Sequence, residues 1–141
     1  MRISKDTYYM KIAETVALRG ECSRRQVGAV IVDKVGRILS TGMNGLAPGR
    51  RPCCEDPCTG ARCASGEGLD LCEASHAEIS ALVHLADATS AHTIYCTTEP
   101  CISCTKALSL TNIQRVVYRD SYAASGINLW GKDWVKYEEI I

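Results

Sequence analysis

Two short motifs constrain this chain more than anything else in it: His76-Ala77-Glu78 and Pro100-Cys101-Ile102-Ser103-Cys104, each opening an apolar run. Ala77-Glu78-Ile79-Ser80-Ala81-Leu82-Val83 and Thr105-Lys106-Ala107-Leu108 both read as helix starts by propensity and spacing, so each motif sits at a helix N-terminus. The partial positive charge there favours thiolate over thiol at Cys101 and Cys104. A histidine and two thiolates make three zinc ligands, and a zinc with three protein ligands keeps its fourth position for water, whereas a structural zinc is closed by four. His76, Cys101 and Cys104 are therefore read as the ligands of a catalytic zinc, with Glu78 as the carboxylate left over for proton transfer. Taken singly, Cys-x-x-Cys is shared with redox dithiols and half-fingers, and His-x-Glu is often only a helix start. Their agreement, with Thr93-Ile94-Tyr95-Cys96 reading as a buried strand that runs straight into Pro100-Cys101, is what carries the reading.

The rest of the chain builds a frame around that pair. Residues 5–19 read as a first helix with Tyr8, Ile12, Thr15, Val16 and Ala17-Leu18 near one face, packing on a sheet. Val27-Gly28-Ala29-Val30-Ile31-Val32 reads as a buried strand, Asp33-Lys34-Val35-Gly36 as a hairpin turn, and Arg37 to Gly42 as the antiparallel return. Between about 43 and 73 the periodicity dissolves into a loop holding three of the four prolines, five glycines and five cysteines. Order resumes with a helix from about Ala74, a strand at 93–97, a helix at 102–109, a strand from Ile113 to Tyr118 and a last strand near Trp134 to Ile141. The expectation is one domain, 1–141, of three-layer α/β/α class around a mixed sheet of about five strands. Sixteen acidic and sixteen basic residues balance, which speaks against a polynucleotide or membrane surface as partner. No apolar stretch long enough for a membrane span or signal peptide exists, so the cytoplasm is expected, and in a reducing compartment nine cysteines point to metal before disulfides.

The pattern H-x-E…P-C-x-x-C is that of zinc-dependent base deaminases. Together with Cys22-Ser23-Arg24-Arg25-Gln26-Val27-Gly28-Ala29-Val30-Ile31, Gly42-Met43-Asn44-Gly45, Thr98-Glu99-Pro100-Cys101-Ile102-Ser103-Cys104 and Arg115-Val116-Val117-Tyr118, it resembles the deoxycytidylate (dCMP) deaminases of bacteria and phages over most of the chain. The resemblance implies the cytidine-deaminase fold, conversion of dCMP to dUMP and ammonia in support of thymidylate synthesis, activation by dCTP, inhibition by dTTP, and a homo-oligomer, commonly a hexamer. It also implies that backbone at Ala77 and Pro100 holds the base edge, that Asn44 contacts base or sugar, and that Tyr122 contacts substrate. Asn44-Gly45 is equally a turn signal on its own. The phosphate needs cations or amides, and Arg24 and Arg25 stand just ahead of the first strand, although an exposed arginine pair is commonplace. A second, structural zinc on Cys22, Cys53, Cys58 and Cys72 is a further expectation by resemblance, closing all four positions and pinning the loop. Cys96 reads as a small core residue, and His84 and His92 as solvated or core-satisfied.

The chain departs from the allosteric members at Met43 and Ala47, where they carry an aromatic residue and a proline, with Pro48 shifted by one. Rival readings are a deaminase of the same fold acting on dCTP, on free cytosine or cytidine, or on adenosine in transfer RNA, and, from a different class, a non-catalytic zinc-stabilised binding module. Glu78 discriminates against the last, because a structural site has no use for a proton shuttle.

Overall fold

The computed structural model describes residues 1–22, 24–51, 64 and 73–139. In chain order these form α1 (Lys5–Ala17), β1 (Gly28–Asp33), β2 (Ile38–Met43), α2 (Ala77–Val83), β3 (Ala91–Thr98), α3 (Ile102–Leu108), β4 (Arg115–Asp120), a 3₁₀ turn (Ile127–Leu129) and β5 (Asp133–Lys136). The strands make one mixed sheet in the order β2-β1-β3-β4-β5. β1 is antiparallel to both β2 and β3, whereas β3, β4 and β5 run parallel. Parallel strands need crossover connections, and α3 supplies the one between β3 and β4.

Strand periodicity divides the core in two. Val30, Val32, Tyr95 and Val117 point to one face and pack on Tyr9, Met10 and Ala13 of α1. Ala29, Ile31, Ile94, Cys96 and Val116 point to the other and meet Ala77 and Ala81 of α2 and Leu108 of α3. The expected α/β/α layering and the hairpin are both present. Trp130 is buried in the second core with Trp134 packed against it, so these tryptophans anchor the interior.

Three expectations need correction. Helix α1 buries Thr7, Tyr9, Met10, Ala13 and Ala17, while Tyr8, Thr15 and Leu18 face solvent. The buried stripe is anchored by Tyr9 and Met10 rather than Tyr8, and continues through Ala13 to Ala17, small residues that carry little hydropathy signal. Helix α2 starts at Ala77 rather than near Ala74, because Ser75 is engaged in an isolated bridge to Gly45 (N–H to carbonyl, 3.1 and 2.8 Å) that closes the neck of the long loop. Strand β5 ends at Lys136, and Ile140 and Ile141 lie outside the described residues. Among the described residues no helix is long and apolar enough to cross a membrane.

Candidate functional site

Strand β3 and helix α2 converge on the same end of the sheet. Helix α2 lies almost on the backbone of β2: a Cβ at Gly42 would come within 2.2 Å of the Ala77 carbonyl and 2.4 Å of the Ala81 nitrogen, so only glycine permits the approach. The buried Ser40 hydroxyl donates to the Ala81 carbonyl at 2.6 Å and fixes the helix along the strand. His76 is the N-cap residue of α2 in extended conformation, and Glu78 falls in the first turn. Cys101 is the N-cap residue of α3, with its carbonyl accepting both the backbone N–H (2.9 Å) and the hydroxyl (2.8 Å) of Thr105. Cys104 lies in the first turn of that helix, fully buried.

These placements bring Nδ1 of His76 to 3.2 Å from Sγ of Cys104 and 3.5 Å from Sγ of Cys101. The three donor atoms lie within 4.8 Å of one another. A tetrahedral zinc with bonds of about 2.3 Å to sulfur and about 2.0 Å to nitrogen spaces its donors roughly 3.5–3.8 Å apart, so the donor set and its spacing fit zinc. Glu78 is 4% exposed and in hydrogen-bonding contact with Cys104.

The electrostatics of the cluster follow from its crowding. Cys101 is pulled down to about 4, first by the hydrogen bond from the Cys104 thiol, which in turn holds its own proton far above the usual range. His76 is raised, chiefly by its bond to Cys101; that sulfur dominates although Cys104 is nearer, because Cys101 is the anionic one. Burial pushes the Glu78 carboxyl up. Cys96, buried in β3, is raised by desolvation and is an inert core thiol.

The remaining site residues fall around this cluster. Ala77 is 1% exposed and Pro100 is fully buried, so each offers backbone rather than side chain. The Asn44 amide is buried and braces the chain ahead of β1: Oδ1 accepts the Val27 N–H at 2.9 Å and Nδ2 donates to the Arg25 carbonyl at 2.6 Å. One lone pair and one amide hydrogen are left over for another partner. The Arg25 guanidinium lies 5.4 Å from the centroid of the Tyr122 ring. Arg24 donates to the Ala64 carbonyl at 2.6 Å, and Arg119 is turned away to Glu14 and Asp120. His84 faces the Ser80 carbonyl of its own helix and His92 the Thr93 hydroxyl. Of the second cysteine set, Cys22 is buried, while Cys53, Cys58 and Cys72 lie outside the described residues. Glu99, buried at the end of β3, has no role in the sequence reading; a glutamate before Pro-Cys carries no local signal, and its partners lie on β5 and the loop ahead of it.

A family model described as the cytidine and deoxycytidylate deaminase zinc-binding region matches residues 3–120. The deoxycytidylate deaminase of Schizosaccharomyces pombe is 37% identical over 125 residues, which cover 86% of this chain but 38% of the yeast protein; the chain thus spans well under half the length of that relative. The deoxycytidylate deaminase of Mycobacterium phage D29 is 38% identical over 120 residues, covering 80% of this chain and 92% of the phage protein. The dCMP deaminase of cyanophage S-TIM5, solved in complex with dCMP and dUMP, superposes with a TM-score of 0.74 at 28% identity, covering 97% of this chain and 99% of that one.

Proposed function

Since the chain belongs to the cytidine and deoxycytidylate deaminase zinc-binding family, we propose that it catalyses the hydrolytic deamination of dCMP to dUMP and ammonia. The observation that carries this is a buried carboxyl, Glu78, set against three convergent zinc donors, His76, Cys101 and Cys104. The phage neighbour solved with dCMP and dUMP supports the choice of substrate and product.

His76 through Nδ1, and Cys101 and Cys104 through Sγ, would hold the zinc. When bound, zinc supplies a nucleophile near neutral pH by lowering the pKa of water. Glu78 takes a proton from the attacking water and passes it to N3 of the cytosine as C4 is attacked. It then takes the proton of the hydroxyl now on C4 and delivers it to the amino group, which departs as ammonia as the C4–N bond breaks and the C4 carbonyl forms. One carboxyl suffices because each proton it accepts is returned to the substrate. Backbone at Ala77 and Pro100 would hold the base edge, the unused capacity of the Asn44 amide would reach base or sugar, and Tyr122 with Arg25, assisted by Arg24, would meet sugar and phosphate.

The resemblance extends the proposal to dCTP and dTTP as activator and inhibitor, to a homo-oligomer, as a hexamer, and to a second zinc on Cys22, Cys53, Cys58 and Cys72, and the sequence pattern extends it to the cytoplasm. Ammonia release from zinc-loaded protein, offered dCMP, dCTP, deoxycytidine and CMP separately, tests the main reading. Preferential turnover of dCMP is expected; preference for dCTP would move the enzyme to a triphosphate branch, and full zinc with no turnover would overturn catalysis in favour of a binding module.

A further inference from the structure

We propose that Glu99 is a positioning residue: its buried carboxyl latches the Tyr122 loop and strand β5 to the turn that carries the thiolates, and thereby sets how tightly the nucleotide is held. The proposal rests on the reading of Tyr122 as a substrate contact. Glu99 is 7% exposed, and its two oxygens accept from two separate segments. Oε1 takes the Tyr122 backbone N–H at 3.0 Å and Oε2 the Trp134 indole N–H at 2.8 Å. Its own N–H donates to the Asp120 carbonyl at 2.8 Å, at the end of β4.

The far end of the same loop is tied to the same turn. The Gly126 N–H donates to the Pro100 carbonyl at 2.9 Å, and Ser125 forms an isolated bridge with Cys101. The packing is too close for a side chain, since a Cβ at Gly126 would sit 1.9 Å from Thr105 Oγ1 and 2.8 Å from the Cys101 carbonyl. Residues 121–126 are thus bonded at both ends to residues 99–101, with the Tyr122 ring held under Arg25. Among the described residues, Glu99 is the side chain in this arrangement that joins three segments.

The chemistry explains why a glutamate does this. Two N–H donors approach from different directions, and a carboxyl offers each of them an acceptor. Glutamine keeps the shape but offers one acceptor and one NH₂, so one donor is left facing another donor inside a buried pocket. Replacing Trp134 by Phe removes the indole donor and with it that conflict. The amide oxygen of a glutamine at 99 can then serve Tyr122 alone.

The test compares wild type, E99Q, W134F and E99Q/W134F, all zinc-loaded, by dCMP kinetics, zinc content, and hydrogen exchange of residues 121–126. For E99Q we expect unchanged zinc, KM for dCMP raised about tenfold with kcat within about threefold, and faster exchange in 121–126. In the double variant KM should return to within about threefold of W134F, which a merely structural loss would not produce. Wild-type KM and exchange in E99Q would overturn the latch. Faster exchange with unchanged KM would overturn its role in holding substrate, and loss of zinc would make Glu99 a support for the metal turn instead. If wild type binds zinc yet deaminates none of the cytosine nucleotides, the functional reading fails, and exchange in E99Q still decides the latch.

Discussion

Two polar clusters lie on opposite faces of the same sheet, and they are built on opposite terms. On the α1 face, Arg115 grips both oxygens of Asp6 (2.9 and 2.8 Å) while the Tyr95 hydroxyl donates to Oδ1 at 2.7 Å. Each group there satisfies another: Asp6 is held below the usual carboxylate range, first by its hydrogen bond to Arg115, and Arg115 and Tyr95 are raised in turn. All three stay in one protonation state through neutrality. On the other face, His76, Cys101, Cys104 and Glu78 compete for protons, with one thiol pulled down to about 4 and its neighbour and the carboxyl pushed up. A matched network is a structural device, and a convergent set of donors of one kind is what a divalent cation organises. The difference separates residues that hold the fold from residues proposed to do chemistry, although both sets are polar and partly buried.

Substitutions can break that contrast. The largest effect is expected at Glu78: E78Q should retain the wild-type zinc content while kcat for dCMP falls about 10²–10⁴-fold, as loss of a general acid–base group does. Wild-type kcat in E78Q would erase the distinction between the two faces. Next comes Asn44, which braces the site wall through two backbone bonds; N44A should lower stability to chemical denaturation by about 2 kcal/mol with zinc retained. Unchanged stability together with a raised KM would move Asn44 from brace to substrate contact alone.

The smallest effect lies on the α1 face. D6N should cost about 1 kcal/mol at pH 7, the partly exposed pair being screened by solvent, and should leave zinc and kcat unchanged. Because Asp6 is lowered in the fold and titrates near about 3.9 when unfolded, its contribution is complete above that pH and fades as pH falls through the folded value. The stability difference between wild type and D6N should therefore shrink below about pH 4, measured by denaturant titration. A difference that persisted in acid would show that the pairing with Arg115 is not its source.

The candidate site was legible because its pattern is local: His76 and Glu78 share one helix start and Cys101 and Cys104 another, so spacing alone aligns the three proposed ligands and the carboxyl beside them. The strands were legible through β-branched runs such as Val30-Ile31-Val32. What escaped was non-local or chemically quiet. On α1 the sequence pattern placed Ala17 on the packing face but set Tyr8 there instead of Tyr9 and Met10 and passed over Ala13, whose hydropathy hardly stands out, and Glu99 finds Trp134 only because β4 and β5 pair in parallel. The bracing role of Asn44 was likewise hidden, since Asn-Gly looks the same whether it turns a chain or ties two segments together.

The most direct measurement sets zinc content beside dCMP turnover in wild type and C104A purified in parallel. Cys104 is buried in the first turn of α3 and faces His76, so its removal should lose one equivalent of zinc relative to wild type and bring ammonia release to background. Wild-type turnover in a C104A protein that lacks that zinc, or full zinc and full turnover without the thiol, would contradict the assignment of His76, Cys101 and Cys104 as the metal-holding set.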